Sequence, residues 1–158
     1  MYAAYELLVS RDTLLRRTPV TASMVAASTI EWPGRGTKES NGWRAFDGDP
    51  ATYTDTLAAD SWIDITAGGA GPLVVDKLRV LPRAGQAGRA TGTVLRGSSD
   101  GGATWTDLHT IGTTTEGAWY EGQLATTASY PLLRLHDAHD GRCNLAEVEF
   151  WYYAAEEG

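Results

Sequence analysis

The stretch VVDKLRVLPR, residues 74–83, alternates apolar and charged side chains with a period of two. Leu78 and Val80 take apolar positions, whereas Lys77 and Arg79 take charged ones. Because successive side chains of a β-strand point to opposite faces of the sheet, this alternation predicts a strand with one face in a core and the other in solvent.

Similar alternation elsewhere predicts that the whole chain is built from short strands. It recurs in SWIDITAGG (61–69) and in LAEVEFWYY (145–153), whereas signals for helices are weak. About eight short strands joined by Gly-rich loops indicate an all-β sandwich, jelly roll or barrel. The remaining strand candidates lie near 20–25, 92–98, 104–111, 117–125 and 131–136.

The stretch SSDGGATWTDL, residues 98–108, has the Ser-x-Asp-x-Gly-x-Thr-Trp spacing of an Asp-box. A β-propeller would repeat such a signature every 40–50 residues or so, and here it occurs once. The stretch therefore predicts a structural hairpin, in which Asp100 accepts backbone N–H bonds while Gly101 and Gly102 adopt positive φ. Trp105 is expected to help anchor the hairpin.

The composition argues against several kinds of partner. Twenty acidic and 13 basic residues give a net charge of −7 with no run of Lys or Arg, so nucleic acid is not expected to bind. No apolar run approaches the roughly 18 residues of a membrane span, so no membrane insertion is expected. Cys143 is the only cysteine, which excludes an intramolecular disulfide and a Cys-rich zinc site. Residues 1–17 lack the basic start and apolar core of a signal peptide.

Three segments occur in the order typical of one known family. They are NGWRAFDGDPATYTDT (41–56) with SWIDITAGG (61–69) close behind, VDKLRVLPRAGQAGRATGTVLRGSSDGGATWTDL (75–108) and PLLRLHDAHDGRCNLAEVEFW (131–151). Together they resemble the discoidin or factor five/eight type C family, the galactose-binding-like jelly rolls that include many bacterial carbohydrate-binding modules. The resemblance implies a non-catalytic jelly-roll β-sandwich of about eight strands, with a five-stranded sheet facing a three-stranded one. It also implies that loops at one end take glycans, lipids or protein partners.

The resemblance divides the chain into three parts. Residues 20–153 are expected to form the discoidin-like sandwich. Residues 1–19 are extra to it and are expected to form an additional strand or an arm that docks on a neighbour. Residues 154–158 form a polar tail that is expected to fray.

The resemblance also implies a structural calcium ion, Ca²⁺, between an Asp-Gly-Asp loop and the last strand. The side chains at the matching positions are Asp47, Asp49, Thr52 and Glu147, and the carbonyls of Phe46 and Ala146 are expected to add to them. Calcium takes six to eight oxygen ligands, which such a loop supplies. The alternative is a metal-free Asx-type turn in which Glu147 simply faces solvent.

The segment that follows the Asp-Gly-Asp loop departs from the family's galactose-binding pattern. Galactose-binding relatives often have Trp-His shortly after the Asp-Gly-Asp loop, where this chain has Thr54 and Asp55, so a galactose preference is not implied. Asp55 is still able to accept bonds from sugar hydroxyls. Arg83 matches an arginine that often borders the family's site, and Arg89 is a second candidate in the same loop. The alternative for both arginines is a solvated loop charge.

Six tryptophans are a high count for 158 residues, and a flat ring can cover the C–H face of a sugar. Trp32 and Trp43 lie in loops near the expected mouth of the site and are the aromatic candidates for ligand binding, with Trp119 as a further one. The alternative is that each ring pins its own loop. Three tryptophans sit in strand patterns and are assigned to packing: Trp62, Trp105 and Trp151.

One stretch, HDAHDG (136–141), has the residue types of a metal site or of a His-Asp phosphohydrolase. That motif belongs on helices, whereas this stretch is predicted to be a strand end followed by a loop, so a structural role is favoured. No Gly-x-Ser-x-Gly, His-Glu-x-x-His or phosphate-binding loop occurs, and no pair of carboxylates is singled out for glycoside hydrolysis. The chain is therefore not expected to be an enzyme.

Two non-catalytic functions remain. The first is a binding or adhesion module that recognises glycans or polysaccharides through its loops and is displayed on a virion or another surface assembly. The alternative is a structural or decoration subunit of a bacteriophage capsid or tail, with virion proteins or copies of itself as partners and no sugar binding. Because no signal peptide is found, the protein is expected outside the cell or on a virion surface without one, and otherwise in the cytoplasm until assembly.

Overall fold

The computed structural model describes residues 14–31 and 35–154, which form two antiparallel β-sheets. The strands are β1 (Leu15–Arg17), β2 (Val25–Ala27), β3 (Ser61–Thr66), β4 (Leu73–Pro82), β5 (Val94–Ser98), β6 (Thr106–Thr110), β7 (Tyr120–Tyr130), β8 (Leu132–Asp137) and β9 (Leu145–Tyr153). One sheet has the order β1-β9-β4-β7 and the other the order β2-β3-β8-β5-β6. The all-β sandwich predicted from the sequence is therefore confirmed.

The four-stranded sheet has one strand more than the three expected. The additional strand is β1, which pairs antiparallel with β9 so that Leu15 lies opposite Tyr153 and Arg17 opposite Trp151. It falls within residues 1–19, which were expected to form an additional strand or an arm; three residues, of which two are exposed, are too few for alternation to locate it. Residues 1–13 and 155–158 lie outside the described residues, as do most of the predicted docking arm and of the polar tail.

The hydrophobic core lies between the two sheets and is supplied by the apolar positions of the alternating patterns. Ile63 and Ile65 enter it from β3, and Leu78 and Val80 enter it from β4; all four side chains are fully buried. Burying such a side chain contributes about 1.5–3 kcal/mol, so this alternation drives the association of the sheets. In β9, Phe150 packs against Phe46 with 5.8 Å between ring centroids, although Phe46 belongs to the loop after the one α-helix of the described residues, α1 (Lys38–Trp43).

The Asp-box stretch forms the turn between β5 and β6, as predicted. The Asp100 carboxylate accepts bonds from the backbone N–H of Thr104 at 2.9 Å and from the Ser98 hydroxyl at 2.8 Å. A bond from the Thr104 hydroxyl, and then these two bonds, lower the pKa of Asp100 to about 2. Gly101 and Gly102 have φ of 70° and 93°, the left-handed region that favours glycine.

The strand tryptophans pack on the outer faces of the sheets rather than in the core. Trp62 and Trp105 both contact Arg134, whose Cζ is 4.3 Å and 4.2 Å from the two ring centroids. The same guanidinium makes a two-point contact with Asp64, at 2.6 Å and 2.9 Å. Trp62 and Asp64 share the outward face of β3 because they are two residues apart, so the indole covers a charged neighbour.

Antiparallel pairing brings several loops together at one end of the sandwich, here named the loop end. Ser61 at the start of β3 lies opposite Asp137 at the end of β8, and Pro82 at the end of β4 lies opposite Leu145 at the start of β9. The segments 53–60, 83–93 and 138–144 therefore meet. Their packing is close enough that a Cβ on Gly141 would lie 2.2 Å from the carbonyl oxygen of Arg89.

Within the described ranges no helix has the length and apolar character needed to cross a membrane.

Candidate functional site

Arg83, the residue after β4, is the centre of a polar cluster at the loop end. Its Nη1 donates to Oδ2 of Asp55 at 3.2 Å and to Oδ1 of Asn144 at 3.0 Å. The side chains of Arg83 and Asp55 remain 22% and 12% exposed, so both reach the surface although they are largely packed. A half-buried, hydrogen-bonded guanidinium and carboxylate at a loop end form a pre-arranged set of donors and acceptors.

Asn144 joins the second arginine to this cluster. Its Oδ1 accepts a bond from Nη1 of Arg89 at 2.8 Å in addition to the bond from Arg83. Asn144 is fully buried and is fixed in turn by its Nδ2, which donates to the carbonyl of Thr54 at 3.1 Å. One buried amide therefore sets the position of both guanidinium groups.

An aromatic ring forms the floor under Arg83. The guanidinium carbon lies 3.8 Å from the centroid of the Tyr53 ring, which is within the range of a cation–π contact. Tyr53 is half-buried and also lines a small adjoining pocket.

 

The adjoining pocket has a volume of about 220 Å³ and is bounded by Tyr53 together with Glu31, Arg44, Ala51 and Thr52. Arg44 and Glu31 form an ion pair across it. The pocket and the arginine cluster thus share the Tyr53 side chain, and the two together are here named the recess.

The loop that carries Asp55 is held in place by buried hydrogen bonds. Asn41 of α1 is 2% exposed; its Nδ2 donates to the carbonyl of Asp55 at 3.0 Å, and its Oδ1 accepts from the Asp55 N–H at 3.2 Å. The Asp55 carboxylate accepts a further bond, at 2.9 Å, from the N–H of Leu57. Leu57 has a φ of 60°, a conformation that this bond helps to hold. The carboxylate is therefore fixed before any ligand arrives.

The structure places the predicted ligand residues in three different situations. It brings Asp55, Arg83 and Arg89 together around Asn144. Trp43, at the end of α1, packs partly buried against the hydrophobic core. Trp32 lies outside the described residues, so its role stays a prediction.

The sequence did not predict where three other side chains lie: Trp119, Tyr53 and Asn144. Trp119 stacks on Arg79, with 4.4 Å from the guanidinium carbon to the ring centroid, and Arg79 belongs to the outward face of the four-stranded sheet. Tyr53 and Asn144 belong to the cluster but were not singled out from the sequence. An aromatic residue two positions before Asp55 was a usable signal for Tyr53, whereas nothing local marks Asn144, whose role depends on contacts with residues more than 50 positions away.

The Asp-Gly-Asp loop forms an ordered set of turns next to β9. Asp47 Oδ1 accepts from the N–H of Asp49 at 2.9 Å, and Asp49 Oδ1 accepts from the N–H of Ala51 at 2.9 Å. The hydroxyl of Thr52 donates to Asp47 Oδ2 at 2.5 Å. These bonds are those of Asx-type turns, and Asp47 also lies next to Glu147 of the neighbouring strand.

Glu147 of β9 is buried beside this loop, and the alternative in which it faces solvent is wrong. It is 3% exposed, and its Oε1 is buried without a hydrogen-bond partner among the described residues. Burial, and then the neighbouring Asp47 carboxyl, raise the pKa of Glu147 to about 8. An unpartnered, buried carboxylate oxygen beside a second carboxylate fits a bound cation, which would remove both penalties.

Of the side chains predicted to hold a cation, Asp47 and Glu147 lie next to each other. No group of three or more His, Cys, Asp or Glu side chains converges on a possible metal position in residues 14–31 and 35–154. Calcium, unlike zinc, accepts carbonyl and hydroxyl oxygens as readily as carboxylates. The predicted ligands all supply oxygen, which suits calcium better than a metal that needs nitrogen or sulfur ligands.

The HDAHDG stretch holds its own loop together. The Asp137 carboxylate is 1% exposed and accepts bonds from the backbone N–H groups of His139, at 2.9 Å, and Cys143, at 3.3 Å. His136 is bonded through Nε2 to Asp60 at 2.7 Å on the outer face of β8. These contacts give Asp137 and His136 structural roles beside the loop that leads to Asn144.

Comparison with known proteins was made at the level of sequence and of structure. No protein-family model matches the chain, and no curated protein matches it. Among solved structures, the family 62 carbohydrate-binding module of Xyl5A from Clostridium thermocellum matches with a TM-score of 0.71 at 22% identity, covering 85% of this chain and 95% of that one. A family 32 module of Clostridium perfringens GH89, in complex with GalNAc-β-1,3-galactose, matches with a TM-score of 0.61 at 21% identity, covering 85% of this chain and 98% of that one.

A third structure is the family 32 module of Clostridium perfringens NanJ in complex with galactose. It matches with a TM-score of 0.61 at 18% identity, covering 87% of this chain and all (100%) of that one. The chain therefore has the β-sandwich fold of the galactose-binding-like, discoidin-type carbohydrate-binding modules. The resemblance noted in the sequence is confirmed at the level of the fold.

Proposed function

We propose that the protein is a non-catalytic module that binds a saccharide in the recess formed by Tyr53, Asp55, Arg83 and Asn144. The observation that carries this proposal is the position of Arg83, which bonds to a carboxylate and an amide while lying on an aromatic ring. Sugars present hydroxyl groups around a ring with an apolar C–H face. A recess that combines fixed donors and acceptors with an aromatic wall matches both features.

Each polar group has a distinct role in this binding. The Arg83 guanidinium donates to sugar hydroxyl or ring oxygens, and the Asp55 carboxylate accepts from sugar hydroxyls. Because the buried Asn41 and Asn144 hold these groups in place, little conformational entropy is lost on binding. The solved modules of the same fold that hold galactose and GalNAc-β-1,3-galactose support a saccharide as the ligand class.

A structural calcium is part of the proposal. The residues that would hold it are Asp47, Asp49, Thr52 and Glu147, with the carbonyls of Phe46 and Ala146. Calcium would supply positive charge to offset the buried Glu147 and would fasten the loop that leads to Tyr53 onto β9. It takes no part in any reaction.

Display on a virion or another surface assembly, with an adhesive role, is proposed on functional grounds. Single saccharide sites that are open to solvent bind weakly, because their hydrogen bonds form in competition with water. Many copies on one particle would raise the effective affinity without any new contact. A bacteriophage decoration subunit without sugar binding is the competing proposal, and it requires that the recess bind no saccharide.

The test is binding of the purified, multivalently displayed protein to a broad glycan array. We expect binding to a related set of saccharides, lost on Arg83→Ala. The matched control is Arg96→Ala, which removes a cation from the outward face of β5, where Arg96 pairs with Asp107 at 2.8 Å. Silence of the folded protein across the array would refute the saccharide proposal.

A further inference from the structure

Arg89 differs from the other arginine of the cluster in having no counter-charge. Arg83 is paired with the Asp55 carboxylate at 3.2 Å. Arg89 is half-buried and bonds to the neutral Asn144 amide at 2.8 Å. Among the described residues its guanidinium forms no salt bridge. The cluster thus holds two guanidinium groups and one carboxylate.

Two acidic side chains of the neighbouring loops make their contacts with groups other than Arg89. The Glu116 carboxylate accepts a bond from the N–H of Gly85 at 2.7 Å. Asp140 pairs with Arg142 at 3.3 Å. Arg89 therefore has no carboxylate in direct contact among the described residues, and Asp55, the one carboxylate of the cluster, is paired with Arg83.

A partly desolvated guanidinium with free donors favours an anion. Arginine has five N–H donors in a planar arrangement that matches a carboxylate or a sulfate, and bonds between charged partners are about twice as strong as neutral ones. Resting on the proposed function, we infer that the saccharide is acidic, with a carboxylate or sulfate ester placed on Arg89 while Arg83, Asp55 and Tyr53 contact the sugar ring. The site is thereby specific for uronates or sulfated sugars over their neutral parents.

The overall charge of −7 does not oppose this specificity at short range. Charges separated by more than about 10 Å in 0.1 M salt are largely screened, whereas a ligand in contact with Arg89 is not. The same physics gives a signature: affinity for the acidic saccharide should fall with ionic strength, and affinity for a neutral one should not.

The experiment uses an array of matched pairs, with galacturonate, glucuronate and galactose 6-sulfate oligosaccharides beside their neutral galactose and glucose parents. The folded protein, displayed multivalently, is expected to prefer at least one acidic member over its neutral parent by about ten-fold or more. The uronate and sulfate arms identify which anion is bound.

Variants assign the preference to Arg89. Arg89→Gln is expected to abolish the preference for the acidic member, and Arg89→Lys is expected to retain part of it. Lys77→Gln, which removes the same charge from the outward face of β4, should leave it unchanged. Thermal melts of each variant establish that it is folded.

The outcomes separate the two proposals. Equal binding of acidic and neutral members, or an unchanged preference in Arg89→Gln, would overturn the inference about acidic saccharides. Binding of neutral saccharides alone, lost in Arg83→Ala, would overturn this inference and leave the proposed function standing. Absence of binding to every member would overturn the proposed function and this inference with it.

Discussion

The guanidinium carbon of Arg83 lies 3.8 Å from the centroid of the Tyr53 ring, and the same guanidinium bonds to Asp55 and Asn144. The ring and the two acceptors fix the arginine on three sides. A side chain with many rotamers is thus ordered in the free protein, which reduces the entropy that a ligand would have to remove.

Tyr53→Ala is expected to lower saccharide affinity by about ten-fold, because it removes both the aromatic wall and the support of Arg83. Tyr53→Phe keeps the ring and is expected to keep most of the affinity. Titration of both variants with the best array ligand checks this. Equal losses in the two variants would show that the hydroxyl, and not the ring face, is what matters.

The stability of the calcium-free protein is expected to fall as the pH rises from about 4.5 to about 8. The pKa of Glu147 is raised to about 8 in the folded protein, from an ordinary value of 4.5. Between these values the native state holds a proton that the unfolded state has released, so the free energy of unfolding decreases with pH. Urea denaturation across this range, with a chelator present, measures the slope.

Calcium is expected to reverse this loss, because the ion takes the place of the proton beside Glu147. Its stabilising effect should therefore grow as the pH rises through the same range. Glu147→Gln, which resembles the protonated side chain, should flatten the pH dependence and weaken the calcium effect. A melting temperature that does not respond to calcium near pH 8 would contradict the proposed metal loop.

Gly141→Ala is expected to destabilise the fold by roughly 1–3 kcal/mol, because an added Cβ would lie 2.2 Å from the Arg89 carbonyl oxygen and 2.3 Å from Asp137. The control is Gly88→Ala, in the same region, where a Cβ meets nothing within 4 Å. Urea denaturation measures both variants. If Gly141→Ala is as stable as Gly88→Ala, the close approach of the two loops is not as described.

Arg134→Ala is expected to lower the free energy of unfolding by about 1–2 kcal/mol, because it removes the cation that contacts both Trp62 and Trp105. Arg96→Ala on the same face is the control and should cost less than about 0.5 kcal/mol, since its partner Asp107 is 65% exposed. Saccharide binding should be unchanged in both. Equal stability losses would indicate that the two indoles contribute nothing beyond an ordinary surface ion pair.

Trp43→Ala and Trp32→Ala are expected to act on different properties. Trp43 packs partly buried against the core, so its removal should cost about 1.5–3 kcal/mol of stability. Trp32→Ala should lower saccharide affinity with little change in melting temperature, if the ring reaches the recess as predicted. Loss of binding from a fully stable Trp43→Ala protein would reverse this assignment.

The sequence by itself determined the elements that depend on local periodicity. Alternation revealed strands such as 74–82 and 145–153 and selected their core faces, because a period of two is the geometry of a β-strand. The turn around Asp100 was equally readable, since its hydrogen bonds link residues no more than four positions apart. The resemblance to a known family added Asp55, Arg83 and Arg89 as candidates.

Tertiary structure decided the features that depend on distant contacts. The three-residue strand β1 is stabilised by pairing with β9 at the other end of the chain, and its own sequence carries no pattern. Asn144 acquires its role only where 83–93 and 138–144 meet, because an amide can orient two arginines only when packing removes it from water. The burial of Glu147 has the same origin: alternation placed it on the outward face of β9, and the Asp47 loop then covered that face.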